Sequence, residues 1–278
     1  MSTSIDAVGA DQRNVFERQW RDWKAKREHD LAAPHGWLAL VTLDWLGETP
    51  ARYAGLPGLW WQDTEAAYVD PRGAEMSHGG EPITGVQRFE LVNSGSGTRV
   101  VVGDLEIEVA RRSGYLIRVH DPKAPVLQQF RGVPSYDPDP AWAITGTFEP
   151  FEQPQPTTVG AVVAGLSHVY MAPGVVHFEH DGNHHTLTAF NGKETGFTIL
   201  FTDTTSGVTT YPANRSLTVA RPAENGAVTL DFNRAMNLPC AFTDFATCPL
   251  PPAGNHLPFA VEAGELLPYE RRESDVVG

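Results

Sequence analysis

Residues 88–120 read RFELVNSGSGTRVVVGDLEIEVARRSGYLIRVH. Within this stretch RFELV (88–92), TRVVV (98–102), LEIEVA (105–110) and YLIRVH (115–120) are short runs rich in β-branched and apolar residues, parted by Asn, Ser, Gly and Asp. Turn residues at such short intervals leave no room for a helical crossover, so the runs read as antiparallel neighbours rather than βαβ units. The same texture continues in WAITGTF (142–148), TTVGAVV (157–163), VVHFE (175–179), HTLTAF (185–190), FTILF (197–201), LTVA (217–220) and AVTLDF (227–232). The expected fold is mainly β, an antiparallel barrel or two-sheet sandwich.

One long helix stands before this region. Over 11–31, Phe16, Trp20, Trp23, Arg27 and Leu31 recur at three- and four-residue spacing, and Pro34 and Gly36 end the pattern. The helix is expected to pack outside the β core, with Trp20 and Trp23 largely buried by the contact. The segment WLALVTLDWL (37–46) fits either a helix or a buried strand. The Pro-rich PFEQPQP (150–156) reads as a connection across one end of the core. Together these give a disordered segment 1–10, a single mainly β domain over 11–270 (helix 11–31, β core 37–270) and a flexible stretch 271–278.

The net charge of −13, from 34 acidic and 21 basic side chains, repels nucleic acid and anionic membrane surfaces at long range. The densest basic stretch, Arg13 to Arg27, alternates with Asp11, Glu17, Asp22 and Glu28, which is the pattern of a solvated helix surface. No run of about 18 apolar residues is present. The first thirty residues lack a charged start followed by an apolar stretch, so no secretory signal is expected. Cys240 and Cys248, with no C-x-x-C pattern, are expected to be reduced thiols in a cytoplasmic protein. The sequence sets no oligomeric state.

Motifs for known cofactors fail. There is no Walker loop, and Gly95-Ser-Gly97 lacks the third glycine of a dinucleotide fingerprint. Gly165-Leu-Ser167-His-Val169 misses the last glycine of a nucleophile elbow. No cofactor is therefore expected. Val175 to Phe190 reads as a hairpin turning at Gly182-Asn183, which pairs His180 with His185 and offers a secondary, two-histidine metal reading. No third ligand is identifiable on that face.

The chain is most specific in GFTILFTDTTSGVTTYPANRSLTVA (196–220) and VTLDFNRAMNLPCAFTDFATCPLPPAGNHLPFAVEAGE (228–265). These segments, with Gly36-Trp37-Leu38, GYLIRVHD (114–121) and Phe130-Arg-Gly132…Tyr136, closely resemble the DUF1684 family, a bacterial family of unknown function. Leu238, Met236, Asn214, His256 and Leu266 depart from its pattern. The resemblance implies a site map and no chemistry.

Read physically, Arg215 can grip a carboxylate through two parallel bonds, with Asp203 or Asp231 holding its fork. Alternation along the strand end points Asp231 and Asn233 the same way, with Phe232 opposite. Asp203, Asp231 and Tyr211 are the candidate acid/base groups, Tyr211 as a hydroxyl donor. Arg215, Asn233, Asn237, Cys240 and Glu265 are the candidate substrate-binding groups. Cys240 becomes a nucleophile if a base lowers its pKa, and His256 is the nearest histidine in sequence. The same residue types also serve a buried polar network that pins loops onto the end of the β core. The function expected is a cofactor-independent enzyme of hydrolase or lyase type on a small polar or anionic molecule. The alternative is a non-catalytic β domain that binds a small molecule in an Arg-centred pocket.

Overall fold

The computed structural model describes residues 3–192, 196–269 and 271, with side chains from residue 11 onward. Residues 1 and 2 of the expected disordered segment, and 272–278 of the expected flexible stretch, lie outside the described residues. Helix α1 spans Thr3–Leu31, beginning eight residues before the expected start at 11. Where the sequence leads one to expect one domain over 11–270, the chain divides into two compact units. The first comprises residues up to His29, Gly132–Phe242 and the chain from Thr247; the second comprises Asp30–Arg131 and Thr243–Ala246.

The second unit holds β1 (Leu40–Trp45), β2 (Leu59–Gln62), β3 (Ala67–Asp70), β4 (Ser77–His78), β5 (Glu81–Pro82), β6 (Gln87–Phe89), β7 (Thr98–Val102), β8 (Leu105–Arg112) and β9 (Gly114–His120). They form a six-stranded sheet, β1-β9-β8-β7-β4-β5, and a three-stranded sheet, β2-β3-β6. Every neighbour pair is antiparallel. Ile107, Val109, Tyr115, Ile117 and Val119 of the larger sheet share one core with Trp60, Val69 and Phe89 of the smaller, which makes this unit a two-sheet sandwich. The ambiguous segment 37–46 becomes a 3-10 turn, Trp37–Ala39, followed by β1.

Alternation places Glu108, Arg118 and His120 on the opposite face of β8 and β9 from that core. They are nonetheless buried. Arg118 Nη2 donates to Glu108 Oε1 at 2.7 Å, and the Trp37 ring covers the guanidinium at 5.2 Å. His120 sets Nε2 3.4 Å from Glu108 Oε2 and Nδ1 2.9 Å from the Gly36 carbonyl.

The first unit holds β10 (Ala143–Gly160), β11 (Ser167–His180), β12 (Asn183–Asn191), β13 (Phe197–Phe201), β14 (Arg215–Val219), β15 (Ala227–Asp231) and β16 (Met236–Asn237). Their order is β15-β10-β11-β12-β13-β14-β16. The sheet curls around one core containing Val176, Phe178, Leu187, Ile199, Phe201, Leu217, Val228, Leu230 and Phe232. Strand β15, at one edge, comes against β14 without pairing to it, so the curl stays open and the barrel alternative does not hold among the described residues.

Two expectations shift here. The Pro-rich 150–156 is not a connection. Strand β10 runs through it to Gly160, with a register break between Pro150 and Gln155. Its pairing with β15 covers only 143–147, so the prolines fall where β10 is a sheet edge and a missing N–H costs no ladder bond. The hairpin turns at Asp181-Gly182, both with positive φ (49° and 74°), as a two-residue primed turn requires. His180 consequently pairs with Asn183 and Phe178 with His185, two positions from the expected pairing. A two-position shift preserves the faces, so Val176, Phe178, Leu187 and Ala189 still point inward.

Helix α1 rests on polar loop segments of its own unit rather than on a strand face. Phe16, Trp20, Trp23 and Arg27 are therefore half-buried, whereas Trp20 and Trp23 were expected to be largely buried. No helix among the described residues is long and apolar enough to cross a membrane.

Burial pushes the Glu108 carboxyl up, but the hydrogen bond from His120 and the charge of Arg118 outweigh it and hold the pKa down to about 2. A carboxylate whose folded pKa lies below its unfolded value of 4.5 stabilises the fold fully above pH 4.5, and that stabilisation drains away as pH falls towards 2. The shift corresponds to roughly 3 kcal/mol. Denaturant titrations of wild type and Glu108→Gln should therefore differ at pH 7 and converge between pH 4.5 and 2. A difference that does not change over this range would refute the assignment.

Candidate functional site

In β14 the residues Arg215, Leu217 and Val219 all face the core, so alternation carries a guanidinium inside. Arg215 is 1% exposed and its ring neighbour is Phe201, the residue opposite it on β13, at 5.2 Å. Nη2 donates to Asp203 Oδ2 at 2.7 Å and to the Val261 carbonyl at 3.0 Å. Nη1 donates to the carbonyls of Ala263 at 2.5 Å and Glu265 at 3.5 Å. Burial lowers the Arg215 pKa, and Asp203 opposes that effect. The other Asp203 oxygen accepts from Thr205 N at 2.7 Å, Thr205 Oγ1 at 2.5 Å and Val261 N at 3.4 Å. Both Nη atoms and both carboxylate oxygens are committed inside the protein, while Arg215 Nε is buried without a hydrogen-bond partner among the described residues. The Arg215 fork closes on Asp203 and three main-chain carbonyls and leaves no room for a ligand carboxylate.

Asp231 is not a partner of Arg215. In β15, Val228 and Leu230 face the core, so Asp231 points out. Its Oδ1 accepts from Asn233 Nδ2 at 3.0 Å, and Arg234 Nε lies 3.1 Å from Oδ2 without pointing its N–H at it. Phe232 between them is fully buried, but so is Asn233, because Phe232–Arg234 is a 3-10 turn and strand alternation does not continue through it. Asn233 also exchanges two bonds with the main chain of Asp139, and its carbonyl accepts from Trp20 Nε1 at 3.0 Å.

Glu265 and Asn237 form a third group. Glu265 Oε2 accepts from Asn237 N at 2.6 Å, and Oε1 accepts from Arg27 Nε of α1 at 3.0 Å. Arg27 Nη2 reaches the Asn237 carbonyl at 2.8 Å, and Asn237 Nδ2 donates to the Leu266 carbonyl at 2.8 Å. Two further α1 residues belong with this seam. Lys24 donates to Ser135 Oγ at 3.0 Å, and Glu28 accepts from Val133 N at 2.9 Å. These groups dock the helix.

Tyr211 and Cys240 form the fourth group, with two partners that sequence reasoning did not nominate, Cys248 and Arg271. Cys240 N donates to Cys248 Sγ at 3.3 Å, and the thiol of Cys240 hydrogen-bonds to both Cys248 and Tyr211. Arg271 Nη2 and Nε donate to the carbonyls of Cys240 and Ala241 at 3.3 and 3.2 Å. The hydrogen bond with Cys248 lowers the Cys240 pKa, burial opposes this, and Tyr211 and Arg271 lower it further. The Tyr211 phenol is pushed up to about 12, by burial first and then by the negative charge of the neighbouring thiolate. Tyr211 is half-buried, whereas Cys240 and Cys248 are 3% and 6% exposed. His256 instead sets Nδ1 3.1 Å from Thr202 Oγ1, so it is not the base for Cys240 in this geometry.

His180 and His185 lie on one face but stack around Phe259, at 4.3 and 4.8 Å. Burial lowers the His185 pKa, helped by His180. No group of three or more His, Cys, Asp and Glu among the described residues is arranged to hold a metal ion. An open cleft of about 350 Å³ on the outer face of β10–β12 is lined by Thr145, Thr147, His177, Glu179 and His184, and by none of the expected residues.

The Arg215–Asp203 pair is thus a structural clip. Removing one partner of a buried pair strands the other at a cost of ~3–5 kcal/mol. Against a total stability of ~5–15 kcal/mol, Arg215→Ala should lower the melting temperature sharply or abolish soluble expression. Arg215→Lys should also destabilise, because one ammonium cannot serve Asp203 and three carbonyls together. A near-native melt of Arg215→Ala would contradict this role.

No match was found among curated proteins. Among solved structures, an uncharacterized protein of Haloarcula marismortui determined by solution NMR is 30% identical over 50% of this chain and 78% of its own, with a TM-score of 0.43. The family model described as protein of unknown function (DUF1684) matches residues 128–266, a span that holds Arg215, Asp231, Asn237 and Cys240 but neither Arg271 nor the α1 residues that meet them. The chain therefore belongs to the DUF1684 family.

Proposed function

We propose that the chain is a cofactor-independent enzyme of hydrolase type acting on a small polar or anionic organic molecule, with Tyr211, Cys240 and Arg271 as its reacting centre. The observation that carries this reading is a thiol and a half-buried phenol grouped outside any strand, with the Arg271 guanidinium on the adjoining carbonyls, while Asp203, Arg215, Asn237 and Glu265 are committed to holding the fold. A Cys240 thiolate attacks an acyl carbon and forms a C–S bond as the leaving group departs. Tyr211, which stays protonated across the neutral range, donates to the oxyanion that develops. The positive charge of Arg271 favours an anionic substrate. Water then releases the acyl group from sulfur. The reduced state that this chemistry needs fits a cytoplasmic setting.

The alternative, a non-catalytic domain that binds a small molecule, draws support from the near-complete burial of both sulfurs. Structural thiols are commonly buried and inert, whereas reactive ones are partly exposed.

Short, carboxylate-bearing p-nitrophenyl esters separate the two readings. Wild type should release a burst of nitrophenol stoichiometric with protein, and Cys240→Ser should show none while keeping its melting temperature. Absence of a burst from wild type, or an equal burst from Cys240→Ser, would favour the binding module.

A further inference from the structure

Cys240 lies in the 3-10 turn Pro239–Ala241, and Cys248 directly precedes Pro249. Because Cys240 N is 3.3 Å from Cys248 Sγ, the Cys240 Cα lies within about 4.8 Å of that sulfur once the N–Cα bond is added. The two thiols also hydrogen-bond to each other. That puts Cys248 Sγ within reach of the Cys240 side chain, and closing the bond requires the two Cα atoms to stand about 4.4–6.8 Å apart. Neither cysteine lies in a named strand, so rotating the two side chains breaks no strand ladder.

We propose that Cys240 and Cys248 form a redox-active dithiol that reduces a small hydroperoxide, with Cys240 as the attacking thiolate and Cys248 as the resolving thiol. Cys240 attacks one peroxide oxygen and the O–O bond breaks. The departing oxygen takes a proton from Tyr211, which regains one from that released by the Cys240 thiol. Cys240 is left as a sulfenic acid and one water leaves. Cys248 then attacks the sulfenic sulfur, the S–S bond forms, and a second water departs. In sum two thiols and one hydrogen peroxide give one disulfide and two waters, and the two electrons pass from sulfur to oxygen.

The surroundings select both the order of attack and the oxidant. Cys240 carries the hydrogen bond from Tyr211, and Arg271 lies against its carbonyl, so the thiolate is favoured at this sulfur. Exposures of 3% and 6% favour the smallest oxidants over a tripeptide disulfide. The dithiol chemistry does not depend on ester turnover. A chain that forms the disulfide without an ester burst, or the reverse, separates the two readings.

The test uses the full, reduced chain and hydrogen peroxide in small excess at neutral pH, followed by N-ethylmaleimide and intact-mass measurement. The expected product is a monomer lighter by two hydrogens and blocked to maleimide, with Cys240 and Cys248 joined in one peptide after digestion. Oxidised glutathione should act at least about tenfold more slowly, since it must reach buried sulfur. Cys248→Ala should stop at a sulfenic acid on Cys240 that dimedone traps. Persistence of both thiols in wild type would overturn the proposal, as would direct over-oxidation without a disulfide or a disulfide between chains. Equal rates with oxidised glutathione would overturn the hydroperoxide assignment. The wild-type measurement stands even if a variant fails to fold.

Discussion

The buried contact between Arg215 and Asp203 is the interaction on which the rest of the first unit depends. The segment from Val261 to Glu265 has no regular structure, so its carbonyls need donors from elsewhere. Arg215 supplies them from an inward position of β14, and Asp203 neutralises the charge that this burial introduces. With its main chain fixed, Glu265 can present its carboxylate to Asn237 N and to Arg27 of α1. The long helix is thereby tied to the sheet through a relay of polar contacts rather than an apolar seam. This is why Trp20 and Trp23 stay half-buried, with the Trp20 N–H spent on a loop carbonyl.

The polar residues of the motif divide by what they touch. Asp203, Arg215, Asn237 and Glu265 touch main chain and one another, the mark of a network that satisfies a loop-rich end. Asn255, buried in the same motif, works similarly. It bridges β12 and β13 by donating to the carbonyls of Thr188 and Leu200 and accepting from Thr188 N. The Tyr211–Cys240–Cys248 group differs in kind, because its members carry groups whose chemistry changes with protonation or oxidation.

Much of the fold was legible from alternation and punctuation. Nearly every β run quoted from the sequence lies in a strand, since period-two patterning directly reports one buried face. Alternation also holds the reason for Arg215, because R-S-L-T-V places Arg215 with Leu217 and Val219. Asp203 could not be singled out as its partner, since the choice between Asp203 and Asp231 rests on a non-local register. The hairpin register was missed by two positions because Asp-Gly and Gly-Asn both satisfy primed-turn chemistry, and only one suits the flanking pairs. The strand through 150–156 was hidden by its prolines, which signal a break unless one knows that β10 has become an edge. The division into two units was not readable, since Thr243–Ala246 joins the second unit through contacts far from it in sequence. That Cys248 and Arg271 meet Cys240 is not readable for the same reason.

The way the units share the chain bears on how it is made. Asp30–Arg131 is continuous, whereas the first unit is assembled from pieces on either side of it. During synthesis the sandwich has its core residues together once Arg131 has emerged, and its mostly sequential antiparallel pairs close short loops. Helix α1 is made before the sandwich and docked after it. Glu265 lies 238 residues downstream of Arg27 and Asn233 lies 213 downstream of Trp20, so the tryptophan-bearing stripe waits without these partners until both have emerged. A nascent chain of this kind carries an unpartnered aromatic stripe throughout the making of the whole sandwich.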